Sequence, residues 1–131
     1  MEEALVTRLL AVAGLTALTA TRIYWNLAPQ NVAKPYVVLT RITGIRDMKM
    51  SGPSGLVESR VQVDCYGTTY ASAKGVARQA ETALSGYKGT VSTTIFDGCF
   101  LVMERHGYVP DDTPDRLHRI SLDFIIWHKG V

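Results

Sequence analysis

Residues 55–67, GLVESRVQVDCYG, alternate with a period of two. Val57, Ser59, Val61, Val63 and Cys65 fall on one side; Glu58, Arg60, Gln62, Asp64 and Tyr66 fall on the other. That period belongs to a half-buried strand, because successive side chains of extended backbone point to opposite faces. The stretch therefore commits the chain to a sheet with one apolar face that must be covered and one face dense in charge.

The cover is written directly after it. In TTYASAKGVARQAETALSGYKG, Tyr70, Ala73, Ala77, Ala80 and Leu84 recur at helical spacing, and Gly86 suits the left-handed position past a helix end. A face of alanines lets such a helix lie close to a sheet; about sixteen residues give roughly 24 Å of it. Gly75 costs about 1 kcal/mol in a helix interior, which predicts a close contact there. At the N-terminus, Leu5, Leu9 and Val12 form a second amphipathic stripe. Glu2 and Glu3 sit at its positive end, Gly14 is placed to stop it, and Leu15 and Leu18 fit a further short turn. TRIYWNLAPQNVAKP reads as an irregular connection punctuated by Pro29 and Pro35.

PYVVLTRITGI predicts a strand over Tyr36–Ile45, hairpinned to the opening strand through a long polar loop, RDMKMSGPSG. FLVMERHGYV and LHRISLDFIIWHKG are also strand-like; in the latter Ile120, Leu122, Phe124 and Ile126 alternate with Arg119, Ser121, Asp123 and Ile125. TVSTTI fits a short strand that turns back through FDG. Adjacent strands with few crossovers predict an α+β fold: an antiparallel sheet of four to five strands with helices packed on one face. Nothing divides residues 1–131, so one domain is expected.

Chemistry finds little purchase. Cys65 with His106, His118 or His128 is the obvious nucleophile–base combination, but alternation sends Cys65 to the apolar side, where a cysteine behaves as a small hydrophobe. Cys99 reads the same way, and a Cys65–Cys99 disulfide requires neighbouring strands. The histidines are dispersed, without metal-ligand spacing, so no metal is expected. Asp111, Asp112 and Asp115 form an acidic turn that lacks the carbonyls and glycine of a calcium loop. No glycine-rich phosphate loop occurs, so no cofactor is expected. Lys+Arg 14 against Asp+Glu 12 leaves a net charge of +2, far from the basic excess of a protein that grips nucleic acid by its phosphates. Arg46 and Lys49, offset by Asp47, make only a weak basic patch. The opening MEEALVTRLLAVAGL has acidic residues where a secretory leader is basic, and its apolar run is too short for a bilayer. A soluble intracellular protein, or one assembled inside a cell, is expected.

Several short pieces in order resemble one family. Arg22, Ile23 and Tyr24; Pro29 and Gln30; Pro35, Tyr36, Val37 and Val38; and Gln62, Val63, Asp64, Cys65 and Tyr66 leading into the helix are similar to the tail-completion proteins, or tail terminators, of long-tailed bacteriophages, prophages and gene-transfer particles. The likeness is carried by residues 4–84. It implies a structural part rather than an enzyme: a homo-hexameric ring that caps the finished tail tube, stops its elongation and meets the head connector. DNA then passes through the lumen unread, and no membrane is involved. It implies a place in the tail or neck of a virion after assembly in the host cytoplasm. On this reading Glu58, Arg60, Gln62, Asp64, Arg119 and Asp123 face a neighbouring subunit or the lumen. The loop with Arg46, Met48, Lys49 and Met50 meets the tail tube or connector. Other neck components, a head-closure or connector-adaptor protein, share this outline. A small α+β enzyme or binding domain would need its pocket around Arg60, Asp64 and Arg119.

Overall fold

A computed structural model describes residues 2–19, 21–27, 35–50, 52–91, 94–109 and 117–130, with backbone alone at 47–49, 52–54, 108–109, 117 and 130. In chain order the elements are α1 (Glu2–Leu10), α2 (Ala13–Thr19), β1 (Ile23–Trp25), β2 (Tyr36–Lys49), β3 (Gly52–Gly67), α3 (Tyr70–Leu84), β4 (Gly89–Val91), β5 (Thr94–Val109) and β6 (Leu117–Gly130).

The strands form one sheet in the order β1-β2-β3-β6-β5-β4. The α+β class stands; the strand number is six rather than four or five. The extra strand is β1, which lies inside the stretch read as an irregular connection. At three residues it is too short to show a period, and it pairs parallel with β2, Ile23 opposite Val37. Every other pairing is antiparallel.

The alternation in β3 decides which face is covered. Val61 pairs with Phe124, Val63 with Leu122 and Cys65 with Ile120, so the apolar rows of β3 and β6 share one face. These residues, with Val37 and Leu39 of β2 and Phe96 and Cys99 of β5, are at most 1 % exposed. Helix α3 lies across β3 and β6 and buries Ala73, Val76, Ala77, Ala80, Ala83 and Leu84 against them. Thr69 caps its start, its hydroxyl accepting the Ser72 N–H at 3.1 Å. Gly86 follows its end at φ 74°, where a Cβ would be strained. The Arg8 guanidinium closes that end too, donating to the Ala83 carbonyl at 3.1 and 3.2 Å and lying 4.1 Å over the Tyr87 ring.

Some helical expectations shift. α1 stops at Leu10, and Gly14 is the second residue of α2, where it faces the side-chain amide of Gln79 rather than ending a helix. Tyr70 is half exposed instead of buried with the alanines. Gly75 has only Leu18 near its missing Cβ, at 3.8 Å, so no tight contact explains it. The close approach is at Gly67, where a Cβ would stand 2.7 Å from the Ala73 backbone nitrogen. There the strand turns straight into α3.

One buried polar pair sits at the rim of the core. His128 Nε2 and Ser59 Oγ are 2.7 Å apart, on facing strands. Burial draws the His128 pKa from its ordinary 6.5 to about 4, with the Arg41 charge adding to the effect. The unfolded chain therefore binds a proton in this range that the folded chain refuses. Stability supplied by neutral His128 is complete above pH 6.5 and is lost as pH falls toward 4. Urea midpoints measured between about pH 7 and about pH 4 should fall across that window, and His128→Gln should flatten the profile. An unchanged slope in the variant would assign the effect to other groups.

Candidate assembly surfaces

The helix-free face of the sheet is built from the other parity of each strand: Thr40 and Ile45 of β2, the Glu58–Tyr66 row of β3, the Arg119–Trp127 row of β6 and part of β5. Its charged half is a connected network. Asp123 accepts from Arg60 Nη2 at 3.1 Å and from Arg105 Nη2 at 3.3 Å. Arg105 Nη2 also reaches Gln62 Oε1 at 3.2 Å. Gln62 Nε2 donates to both Asp64 oxygens at 2.9 and 3.0 Å, and the Ser121 hydroxyl donates to Asp64 Oδ1 at 2.5 Å. Arg119 stands opposite Tyr66 on the neighbouring strand, and the Tyr66 ring stacks on Tyr36 at 4.9 Å between centroids. Burial, then the Asp64 charge, raises the Tyr66 hydroxyl pKa above its ordinary value, while Arg119 opposes the rise.

The sequence-derived residues Arg60, Gln62, Asp64 and Asp123 are thus brought together, and Arg119 and Glu58 lie on the same face. The network is satisfied within the chain. Asp64 and Asp123 are only 7 % and 3 % exposed, whereas the Arg60 and Arg105 side chains are 37 % and 53 % exposed. What this face offers outward is therefore mainly guanidinium.

Arg105 and Ser121 complete the network but escaped the sequence reading of it. A β-bulge explains Arg105. Register slips between Leu101 and Met103, so the parity of β5 flips at Val102. Cys99 and Leu101 point to the core, yet Met103 and Arg105 reach the open face. Glu104 and His106 turn instead toward α3: Glu104 accepts from Lys74 Nζ at 2.6 Å, and His106 stacks on Tyr70. Lys74 holds the Glu104 carboxyl below the usual carboxylate range. Strict alternation cannot foresee the flip.

The other half of the face is apolar, which was not expected. Phe100 lies over Gly98, with its ring at 2.9 Å from where a Cβ would stand, and is 53 % exposed. Met103 and Ile45 are also exposed, and Ile125 and Trp127 are partly so.

The long loop read from Arg46 to Gly55 is a hairpin arm. β2 continues to Lys49 and β3 begins at Gly52, with Met48 paired to Pro53 and Lys49 to Gly52. Gly and Pro hid the strand: Pro53 is tolerated where a strand begins at an edge, and Gly55 takes φ 86° beside the register slip between Arg46 and Met48. Arg46 and Met50 are exposed; the side chains of Met48 and Lys49 lie outside the described residues. Likewise TVSTTI does not turn back through FDG: β5 already starts at Thr94, and FDG falls inside it at a second bulge, between Phe96 and Gly98.

Neither cysteine is positioned for catalysis. Cys65 and Cys99 are free, fully buried, and carried by strands that β6 separates, so they do not bridge. Burial raises the Cys65 thiol far above its ordinary value and pushes Cys99 up to about 11. In native protein at about pH 8 neither should react with a thiol-specific disulfide reagent, and both should react after unfolding. Fast labelling of Cys65 in the native state would reopen the nucleophile question. Among the described residues no group of three His, Cys, Asp or Glu side chains is placed to hold a metal, and no helix is long and apolar enough to cross a membrane. Asp111, Asp112 and Asp115 lie outside the described residues.

Comparison with known proteins agrees with this architecture. The sequence profile of the family described as "Tail completion protein gp17" matches residues 3–129. The chain belongs to this tail-completion family. Among solved structures, a chain of the "Virion of native gene transfer agent (GTA) particle" shares the fold at a TM-score of 0.77 and 23 % identity, covering 99 % of this chain and 95 % of that one. No curated protein sequence matches. A tail-completion protein with this fold presents a helical side, an open charged sheet face and a projecting arm.

Proposed function

We propose that this tail-completion protein is a non-enzymatic structural part. Copies close into a hexameric ring that caps a tail tube, ends its elongation and joins it to the head connector in the neck of a phage-like particle. The family match over nearly the whole chain carries this reading. The likeness to a chain of a gene-transfer-agent virion supports a virion location, reached after assembly in the host cytoplasm.

The geometry adds a reason for DNA to pass unread. Glu58, Asp64 and Asp123 balance Arg60, Arg105 and Arg119 on the open face. Carboxylates set beneath the exposed guanidiniums offset their charge, so a lumen lined by this face holds DNA phosphates less tightly than a bare arginine surface would. The same pairing speaks against this face as the subunit contact, since Asp64 and Asp123 are already engaged at home. Charge reversal at Arg60 would set two acids together and disturb the fold itself, so it tests assembly poorly. The direct test is negative-stain microscopy of purified protein with purified tail tubes. Six-fold rings seated on tube ends are expected; protein that stays monomeric and absent from purified particles would overturn the reading.

A further inference from the structure

We infer that the two outer edges of the sheet are the two halves of the ring contact: the free edge of β2 in one copy meets the free edge of β5 in the next, with Ile42 set against Val102. The inference rests on the ring reading above and names its partner surface, a second copy of this chain.

Both edges are open among the described residues. β1 covers β2 only at Val37–Leu39, and the Asn26 N–H takes the Leu39 carbonyl. β4 covers β5 only at Thr94–Phe96, and the Gly86 N–H takes the Cys99 carbonyl. Beyond these, Thr40–Lys49 and Phe100–Val109 have no strand on their outer side among the described residues. Long unpaired edges are templates for another chain unless something occupies them.

The edges also fit each other in direction. β2, β3, β6 and β5 are successively antiparallel, so β2 and β5 run opposite ways. Placed side by side in equally oriented copies, they meet antiparallel, the pairing the sheet already uses. The contact joins unlike edges, as a closed ring requires.

The bulges supply the register. Arg41 pairs with Val61, Val61 with Phe124 and Phe124 with Leu101, one rung across four strands. Ile42 is the extra residue just above that rung on β2; Val102 is the extra residue just below it on β5. Each exposes a β-branched side chain, 47 % accessible in both cases. Of the nine large apolar side chains exposed among the described residues, Ile42, Ile45, Phe100, Val102 and Met103 all lie on these two strands. Single exposed apolar residues are ordinary, but matched ones on opposite edges, each one residue from the same rung, form two halves of a contact once neighbouring copies are staggered by about two residues. Bulges also interrupt indiscriminate ladder growth, so the edges select one register instead of aggregating.

The test is a chain carrying both Ile42→Cys and Val102→Cys, assembled on purified tail tubes and then oxidised. Cys65 and Cys99 are fully buried and add no background. The expected product is a ladder of covalent multimers ending at the ring, while either single variant stays monomeric. Rings seen by microscopy without a ladder overturn the inference and leave the ring reading standing. Dimers from a single variant would mean that like edges meet, and a covalent adduct with a tube protein would mean that the edges serve another partner; both overturn it. If no ring forms on tubes, the ring reading fails and this contact fails with it. As an independent variant, Val102→Asp should keep the monomer's thermal transition, because the site is exposed, and lower the ring fraction about tenfold or more. An undiminished ring fraction overturns the inference.

Discussion

Phe124→Ala should lower stability by about 3–5 kcal/mol, the cost of emptying a large aromatic site in a packed core. Phe124 is fully buried and stands mid-strand on β6, the central partner of both β3 and β5. Val61 and Leu101 flank it on its own rung, and α3 roofs it. The strands are locked by their ladders and the helix by its cap and Arg8, so the hole cannot collapse. A domain of this size is typically held by about 5–15 kcal/mol, and the melting temperature should drop by roughly 10 °C or more. Phe124→Leu keeps most of the volume and should cost less than about 1.5 kcal/mol. Urea titrations of the pair decide the matter: equal small losses would mean that the sheet and helices are not packed as described.

Removing the tip of the β2–β3 arm should do the reverse, sparing the fold and abolishing attachment. The arm projects past its support, because the β3–β6 pairing ends at Val57 and His128. Thr43, Gly44, Ile45, Arg46 and Met50 are exposed, and none belongs to the core cluster. Replacing residues 48–51 with Asn-Gly shortens the arm and removes only the outermost ladder pairs, Met48–Pro53 and Lys49–Gly52, leaving Arg46–Val57 as the last native pair. The melting temperature should move by less than about 2 °C. On the reading that Arg46, Met48, Lys49 and Met50 meet the tail tube or connector, particles should fail to join heads to tails. Normal particle yield from the shortened protein would show that the arm has no partner there.

Much of this molecule was readable before any coordinates. The alternation of β3 and β6 assigned Val61, Val63, Leu122 and Phe124 to one face and the charges to the other. The alanine stripe of α3 named its cover. These signals are periodic, and periodicity survives because burial imposes it residue by residue. The arm and the strand starts carry no such signal, because Gly52, Pro53, Gly55 and Gly98 interrupt the alternation that reveals a strand.

By itself, the order of residues determined the fold class and the faces of the main strands, both of which follow from local geometry. Only the tertiary structure decided that Asp64 and Asp123 find their partners at home, that Arg105 joins the network, and that Ile42 and Val102 flank one rung on opposite edges. Those facts depend on the register between distant strands and on single-residue bulges. Register is set by how whole strands pair, so no window of sequence contains it.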